Sequence, residues 1–203
     1  SETHGYTSGG TGGPGGNEID TFSFATDGNA TSVGVLTVAR NNTASQSSRT
    51  LGYACGGSTP WNNVIDKFTF ASDNDATDVG DTLTNIQYTS GNSSANHGYI
   101  CGNSPGTNVI QKFTFAVDAN STDVANLSSA RESSAGQNAS DYGYAVYGSP
   151  TPTVNIIDKF PYASDSDATD VGNLAFPRGA ASGTSSETHG YTSGGTGGPG
   201  GNE

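Results

Sequence analysis

The sequence predicts an all-β fold made of one four-stranded unit repeated along the chain. Gly-Tyr recurs at 5–6, 52–53, 98–99, 143–144 and 190–191, in steps of 47, 46, 45 and 47 residues. A fixed period of this size marks a repeat architecture. Two further anchors keep step with it. One is an aromatic-x-aromatic pair at Phe22/Phe24, Phe68/Phe70, Phe113/Phe115 and Phe160/Tyr162. The other is an Asp-rich octet, Asp27 to Gly34, Asp73 to Gly80, Asp118 to Ala125 and Asp165 to Gly172. The chain therefore reads as one repeat domain over 1–203, with repeats at approximately 1–48, 49–94, 95–140 and 141–185.

Each unit supplies four strands in order. The small-residue segment after the closing arginine, such as 43–50, is the first. Gly-Tyr-Ala-Cys-Gly-Gly at 52–57 is the second, with glycines where the backbone turns or packs closely. The third, Val64 to Phe70, alternates so that Phe68 and Phe70 share a face. The octet makes a turn, because Asp and Asn hydrogen-bond their own backbone, and Thr77-Asp78-Val79 begins the fourth strand. No segment carries a 3.6-residue apolar stripe, so the chain is expected to be almost free of helix.

Composition narrows the function classes. The 31% hydrophobic content with 30 glycines and 8 prolines is lean but suits short strands joined by turns. Register among the aromatics argues against disorder. A net charge of −12 with only 7 Lys plus Arg leaves no basic stripe for phosphates, so nucleic acid is not an expected partner. No apolar run approaches the roughly 20 residues of a membrane span. The chain has no methionine and starts inside a repeat, as expected of a piece of a longer protein.

The pattern resembles the kelch repeat, in which a strand ends in a glycine doublet and the unit closes on a leucine followed by arginine. The doublet is matched by Gly9-Gly10, Gly56-Gly57 and, by half, Gly102-Asn103. The closing element is matched by Leu36 to Arg40, Leu127 to Arg131 and Leu174 to Arg178, while the second repeat is read with Gln87 in the arginine place. Val33, Val79, Val124 and Val171 stand where the usual tryptophan would. The resemblance covers essentially the whole chain and implies a β-propeller of four kelch-like four-stranded blades. That fold hosts enzymes, lectins and scaffolds alike.

Residues 186–203 repeat residues 1–18 (SETHGYTSGGTGGPGGNE) without a difference. In a closed four-blade ring both copies would claim one strand position. One copy is therefore expected to pair outside the ring, with a following block or another subunit.

Several groups are candidates for chemistry. Asp73, Asp75 and Asp78, and Asp165, Asp167 and Asp170, gather hard oxygen ligands of the kind calcium takes, with turn formation as the competing reading. No other cofactor is expected. Cys55 and Cys101 occupy the same repeat position and could form a disulfide or stand as two buried thiols. His4, His97 and His189 all precede Gly-Tyr and read as structural, without a nucleophile signature beside them. The kelch-type copper oxidases would imply a copper site, but both cysteines are scaffold positions and that site does not carry over. Lys67, Lys112 and Lys159, with Arg40, Arg131 and Arg178, recur in frame and are expected to meet carboxylates between blades. Asn29, Asn41, Asn92, Asn120, Asn126 and Asn138 open Asn-x-Ser/Thr sequons.

These readings converge on a non-enzymatic, extracellular structural or adhesive module at a cell or virion surface, assembling with its own copies into a filament. A glycan-binding lectin with Trp61, Asn62 and Asn63 at a loop tip is the alternative.

Overall fold

The computed structural model describes residues 1–12, 15–148 and 154–196. All regular structure there is antiparallel β-sheet and no residue is helical. Sheet 1 holds β1 (His4–Ser8), β2 (Glu18–Ser23) and β3 (Thr31–Val35). Sheet 2 holds β4 (Ala44–Ser47), β5 (Leu51–Cys55), β6 (Asn62–Thr69) and β7 (Thr77–Ile86). Sheet 3 holds β8 (Ser90–Ser93), β9 (His97–Cys101), β10 (Thr107–Thr114) and β11 (Thr122–Arg131). Sheet 4 holds β12 (Ala135–Asn138), β13 (Tyr142–Gly148), β14 (Val154–Pro161) and β15 (Thr169–Asn173), and sheet 5 only β16 (Ser182–Ser185) and β17 (Gly190–Ser193). Within each sheet the strands pair in chain order. The sheets run one strand out of phase with repeats counted from residue 1, since sheet 2 begins at Ala44 rather than after residue 48.

The two strongest sequence anchors turn out to be halves of one cross-strand pair. Gly5 faces Phe22, Gly52 faces Phe68, Gly98 faces Phe113 and Gly143 faces Phe160. In each pair the phenyl ring lies over the glycine, inside the space a Cβ would need. Glycine is required there by close approach, and the ring covers backbone that a larger residue would have shielded.

The glycine doublet ties the end of the second strand to the end of the fourth. Gly57 N–H donates to Ile86 O (2.7 Å), Gly10 N–H to Arg40 O (2.9 Å) and Asn103 N–H to Arg131 O (3.2 Å). This fixes the alignment of the closing element. The arginine place in the second repeat is held by Ile86, fully buried, and not by Gln87. In sheet 4 Tyr147 stands in the first doublet position with φ 49, and its hydroxyl donates to Ala181 O.

The sheets stack face to face through their neighbours, and β4, β8, β12 and β16 touch in series along the inner edge. There Gly91 lies against the Ser45 carbonyl, Gly136 against Gly91 and Gly183 against Gly136, each too close for a Cβ. That contact explains the small-residue first strands. Among the described residues no strand pairing joins one sheet to another, so neighbouring sheets meet by packing alone. Among the described residues no helix is long and apolar enough to cross a membrane.

Gly98→Ala should force the Phe113 ring off its strand. A loss of about 1–3 kcal/mol in urea unfolding is expected, typical of overpacking, and an unchanged midpoint would contradict the pairing described.

Candidate functional site: the junctions between sheets

Chemistry-bearing side chains concentrate where one sheet meets the next. The third strand of each sheet directs alternate residues to opposite neighbours. From β6, Asp66 and Phe68 turn to sheet 1, whereas Ile65 and Lys67 turn to sheet 3.

Between sheets 1 and 2, Arg40 Nη2 lies 2.9 Å from Asp66 Oδ2, with both side chains fully buried. Thr37 adds its backbone N–H (2.9 Å) and hydroxyl (2.7 Å) to the same carboxylate. Tyr6 stacks on Phe70 at 4.6 Å between centroids and leans on Phe68 at 5.8 Å. At the outer edge Asp75 Oδ1 accepts Val35 N–H (3.1 Å) while Ala76 N–H donates to Val35 O (2.8 Å).

The other two junctions repeat the design. Tyr53 stacks on Phe115 (4.9 Å) and Tyr99 on Tyr162 (4.9 Å). Asn120 accepts Asp81 N–H (2.9 Å) and Asp167 accepts Asn126 N–H (2.8 Å). Lys67 pairs with Asp118 and Lys112 with Asp165. Between sheets 3 and 4, Arg131 pairs with buried Asp158, which also accepts Ser128 N–H (2.9 Å). Burial pushes the Arg131 guanidinium below its ordinary value, and Asp158 opposes that shift.

The middle junction solves the same problem without charge. Ile86 replaces the arginine and Gln111 the aspartate, and Gln111 Oε1 accepts Leu83 N–H (2.9 Å) and the Ser121 hydroxyl (2.7 Å). Both partners change together, as they must, because one buried charge left alone is strongly unfavourable. Arg40 itself leaves Nε and Nη1 without a hydrogen-bond partner, so the ionic version is imperfectly satisfied. The switch lies at Ile86, one residue before the expected Gln87, because the Gly57 N–H bonds to the Ile86 carbonyl.

No family model matches the chain, and no curated protein is significantly similar to it. The junction geometry is therefore the basis for reading function.

The octet carboxylates are spread among separate partners. Asp78 accepts Gly80 N–H (3.2 Å) and Asp170 accepts Gly172 N–H (3.0 Å), both within their own turns. Asp75 and Asp167 reach across to the preceding sheet, Asp165 meets Lys112, and Asp73 has Thr21 where the later sheets place a lysine. Among the described residues no three His, Cys, Asp or Glu side chains gather as a metal group. Turn contacts account for Asp78 and Asp170, and contacts with the preceding sheet for Asp75, Asp165 and Asp167.

Cys55 and Cys101 are free and fully buried, which is the thiol alternative and not the disulfide. Cys55 Sγ donates to Gln46 Oε1 (3.0 Å) and Cys101 Sγ to Asn92 Oδ1 (3.7 Å) in their own sheets. Burial raises both thiols, Cys101 to about 12. His4 and His189 are exposed and touch Thr3 and Thr188. His97 is half-buried, and desolvation with Lys112 nearby lowers its pKa. Of the sequons, Asn92 is fully buried and donates to Gln137 O (2.8 Å), so it is closed to glycosylation. Asn29, Asn41, Asn120, Asn126 and Asn138 are exposed or half-buried.

Asp66→Gln alone strands Arg40 and should cost about 3–5 kcal/mol. The double change Arg40→Ile with Asp66→Gln copies the neutral junction and should recover most of that loss in urea denaturation. A thiol reagent such as DTNB should leave native Cys55 and Cys101 unlabelled and modify both after unfolding. Rapid labelling of the folded chain would contradict their burial.

Proposed function

We propose that the chain is an extracellular structural or adhesive module, a kelch-like propeller segment that builds a fibre by associating with its own copies. One observation carries the reading: sheet 1 presents an aromatic face that no other described residue covers, where sheets 2, 3 and 4 have the corresponding face packed against a neighbouring sheet. Phe22 is 40% exposed, whereas its counterparts Phe68, Phe113 and Phe160 are at most 8% exposed, and Phe24 is 61% exposed where Phe70, Phe115 and Tyr162 are partly buried. At the far end Val171 is 52% and Phe176 38% exposed. Unmated apolar faces of this kind mark interaction sites. The contact of the first strands β4, β8, β12 and β16 in series supports the propeller reading. Five accessible sequons and the acidic surface support an outward location.

The second reading, glycan binding, rests on Trp61, whose side chain is 48% exposed on a loop where Asn85 holds its carbonyl (3.1 Å). Glycan-array signal lost in Trp61→Ala would favour it.

Sedimentation velocity over a wide concentration range, with electron microscopy of the concentrated sample, tests the first reading. Concentration-dependent linear species are expected. A monomer at every concentration would remove the fibre proposal.

A further inference from the structure

The turn between β8 and β9 and the turn between β12 and β13 line one groove of about 490 Å³, together with the end of β14. Sheets 3 and 4 both hold four strands, and the groove lies between them. Each turn is closed by its own backbone, with Ser94 N–H donating to His97 O (2.9 Å) and Ala139 N–H to Tyr142 O (2.9 Å). Each is also tied to the end of the third strand of its sheet. Asn96 O accepts Phe115 N–H (2.9 Å) and Asp141 O accepts Tyr162 N–H (2.9 Å). Side chains that start from a backbone held in this way lose little freedom when a ligand arrives.

The repeat brings matching positions of neighbouring sheets to the two sides of this groove. Asn96 and Asp141 occupy one repeat position, and His97 and Tyr142 the next, just before Gly-Tyr. Sheet 2 has Thr50 and Leu51 there. The scaffold therefore does not demand polar chemistry at these places, and it is concentrated between sheets 3 and 4. Asn96 and Asp141 are exposed, His97 is half-buried and Tyr142 is 37% exposed. Among the described residues none of these four side chains hydrogen-bonds to another protein group, unlike the paired polar side chains inside the junctions.

The aromatic part of the wall is held in place. Lys159 Nζ lies 3.8 Å from the centre of the Tyr142 ring, a cation–π contact that fixes the ring. Tyr162 stacks on Tyr99 and donates its hydroxyl to Asn138 Oδ1 (2.7 Å). Burial, and then Lys112, lower the pKa of His97, so at neutral pH its ring is uncharged and offers one donor and one acceptor.

These groups select a class of ligand. Asp141 supplies acceptors and opposes an anion. One carboxylate is too few for a calcium or magnesium ion, which takes six or more oxygens. An apolar ligand would leave the amide, the imidazole and the carboxylate covered and unpaired. A sugar ring meets both demands, because its hydroxyls donate and accept while its C–H face packs on an aromatic ring. We propose that the groove between sheets 3 and 4 binds a neutral saccharide, with Tyr142 against the sugar face and Asp141, Asn96 and His97 hydrogen-bonded to its hydroxyls. Trp61 is not part of this wall. The site is thus distinct from the loop tip considered above, and it does not depend on self-association.

The test is binding of the full chain to an array of immobilised neutral and acidic oligosaccharides. Wild-type protein should be retained by neutral ones. Tyr142→Ala and Asp141→Ala should each weaken that binding on the order of tenfold or more, as for loss of one hydrogen bond to a charged group. Trp61→Ala should bind as wild type does. Asp141 is exposed, so Asp141→Ala should keep the wild-type urea midpoint and remains informative if Tyr142→Ala is unstable. The proposal is overturned by a wild-type chain that no neutral oligosaccharide retains, or by wild-type binding of folded Asp141→Ala. Loss of binding in Trp61→Ala with the groove variants unaffected would also overturn it and assign the sugar to the loop tip. The groove variants should sediment as the wild-type chain does, so the fibre reading stands or falls separately.

Discussion

The third strands of sheets 2 and 3, β6 and β10, pack against a sheet on either side, and nearly everything else follows from satisfying their two faces at once. A sheet of four short strands has too little area to stand alone. Sheets 2 and 3 hand Phe with Asp66 or Gln111 to the sheet before them and Ile and Lys to the sheet after them. Phe68, for instance, packs with Ile19, Leu36 and Ala54, while Ile65 of the same strand packs with Ile100 and Phe113. A pair of stacked aromatics adds about 0.5–1.5 kcal/mol beyond burial, and it recurs at every interior junction.

The buried charges are subordinate to that packing. Two junctions hold an arginine and an aspartate with no exposure, and the third holds Ile86 and Gln111 with the same backbone hydrogen bond retained. Replacement of a buried ion pair by neutral groups is often tolerated, whereas removal of one member is not. Within one chain the middle junction is such a replacement already made. The ionic junctions therefore serve geometry and pairing preference more than net stability.

The acidic character of the octets has a local cause. Their side chains accept backbone N–H groups, either within the turn, as Asp78 and Asp170 do, or across to the preceding sheet, as Asp75 and Asp167 do. Asn120 does the same without charge. Acceptance of a hydrogen bond is the shared requirement, and the carboxylate is one way of meeting it. Spacing along a turn says nothing about which way each side chain turns.

The sequence by itself determined the class and the units. Period, Gly-Tyr and the aromatic pair each place a short strand, because alternation and glycine demands are local properties of the backbone. Those features gave the four strands of each unit, the absence of helix and the in-frame cations. Tertiary structure decided what the anchors are for. That Gly52 and Phe68 are one pair, that Ile86 holds the arginine place, that Cys55 and Cys101 face Gln46 and Asn92 and not each other, and that Asn92 is closed to sugar all depend on cross-strand register and on which face meets which neighbour. Such facts arise from contacts about 9 to 46 residues apart in the chain, and no local pattern encodes them.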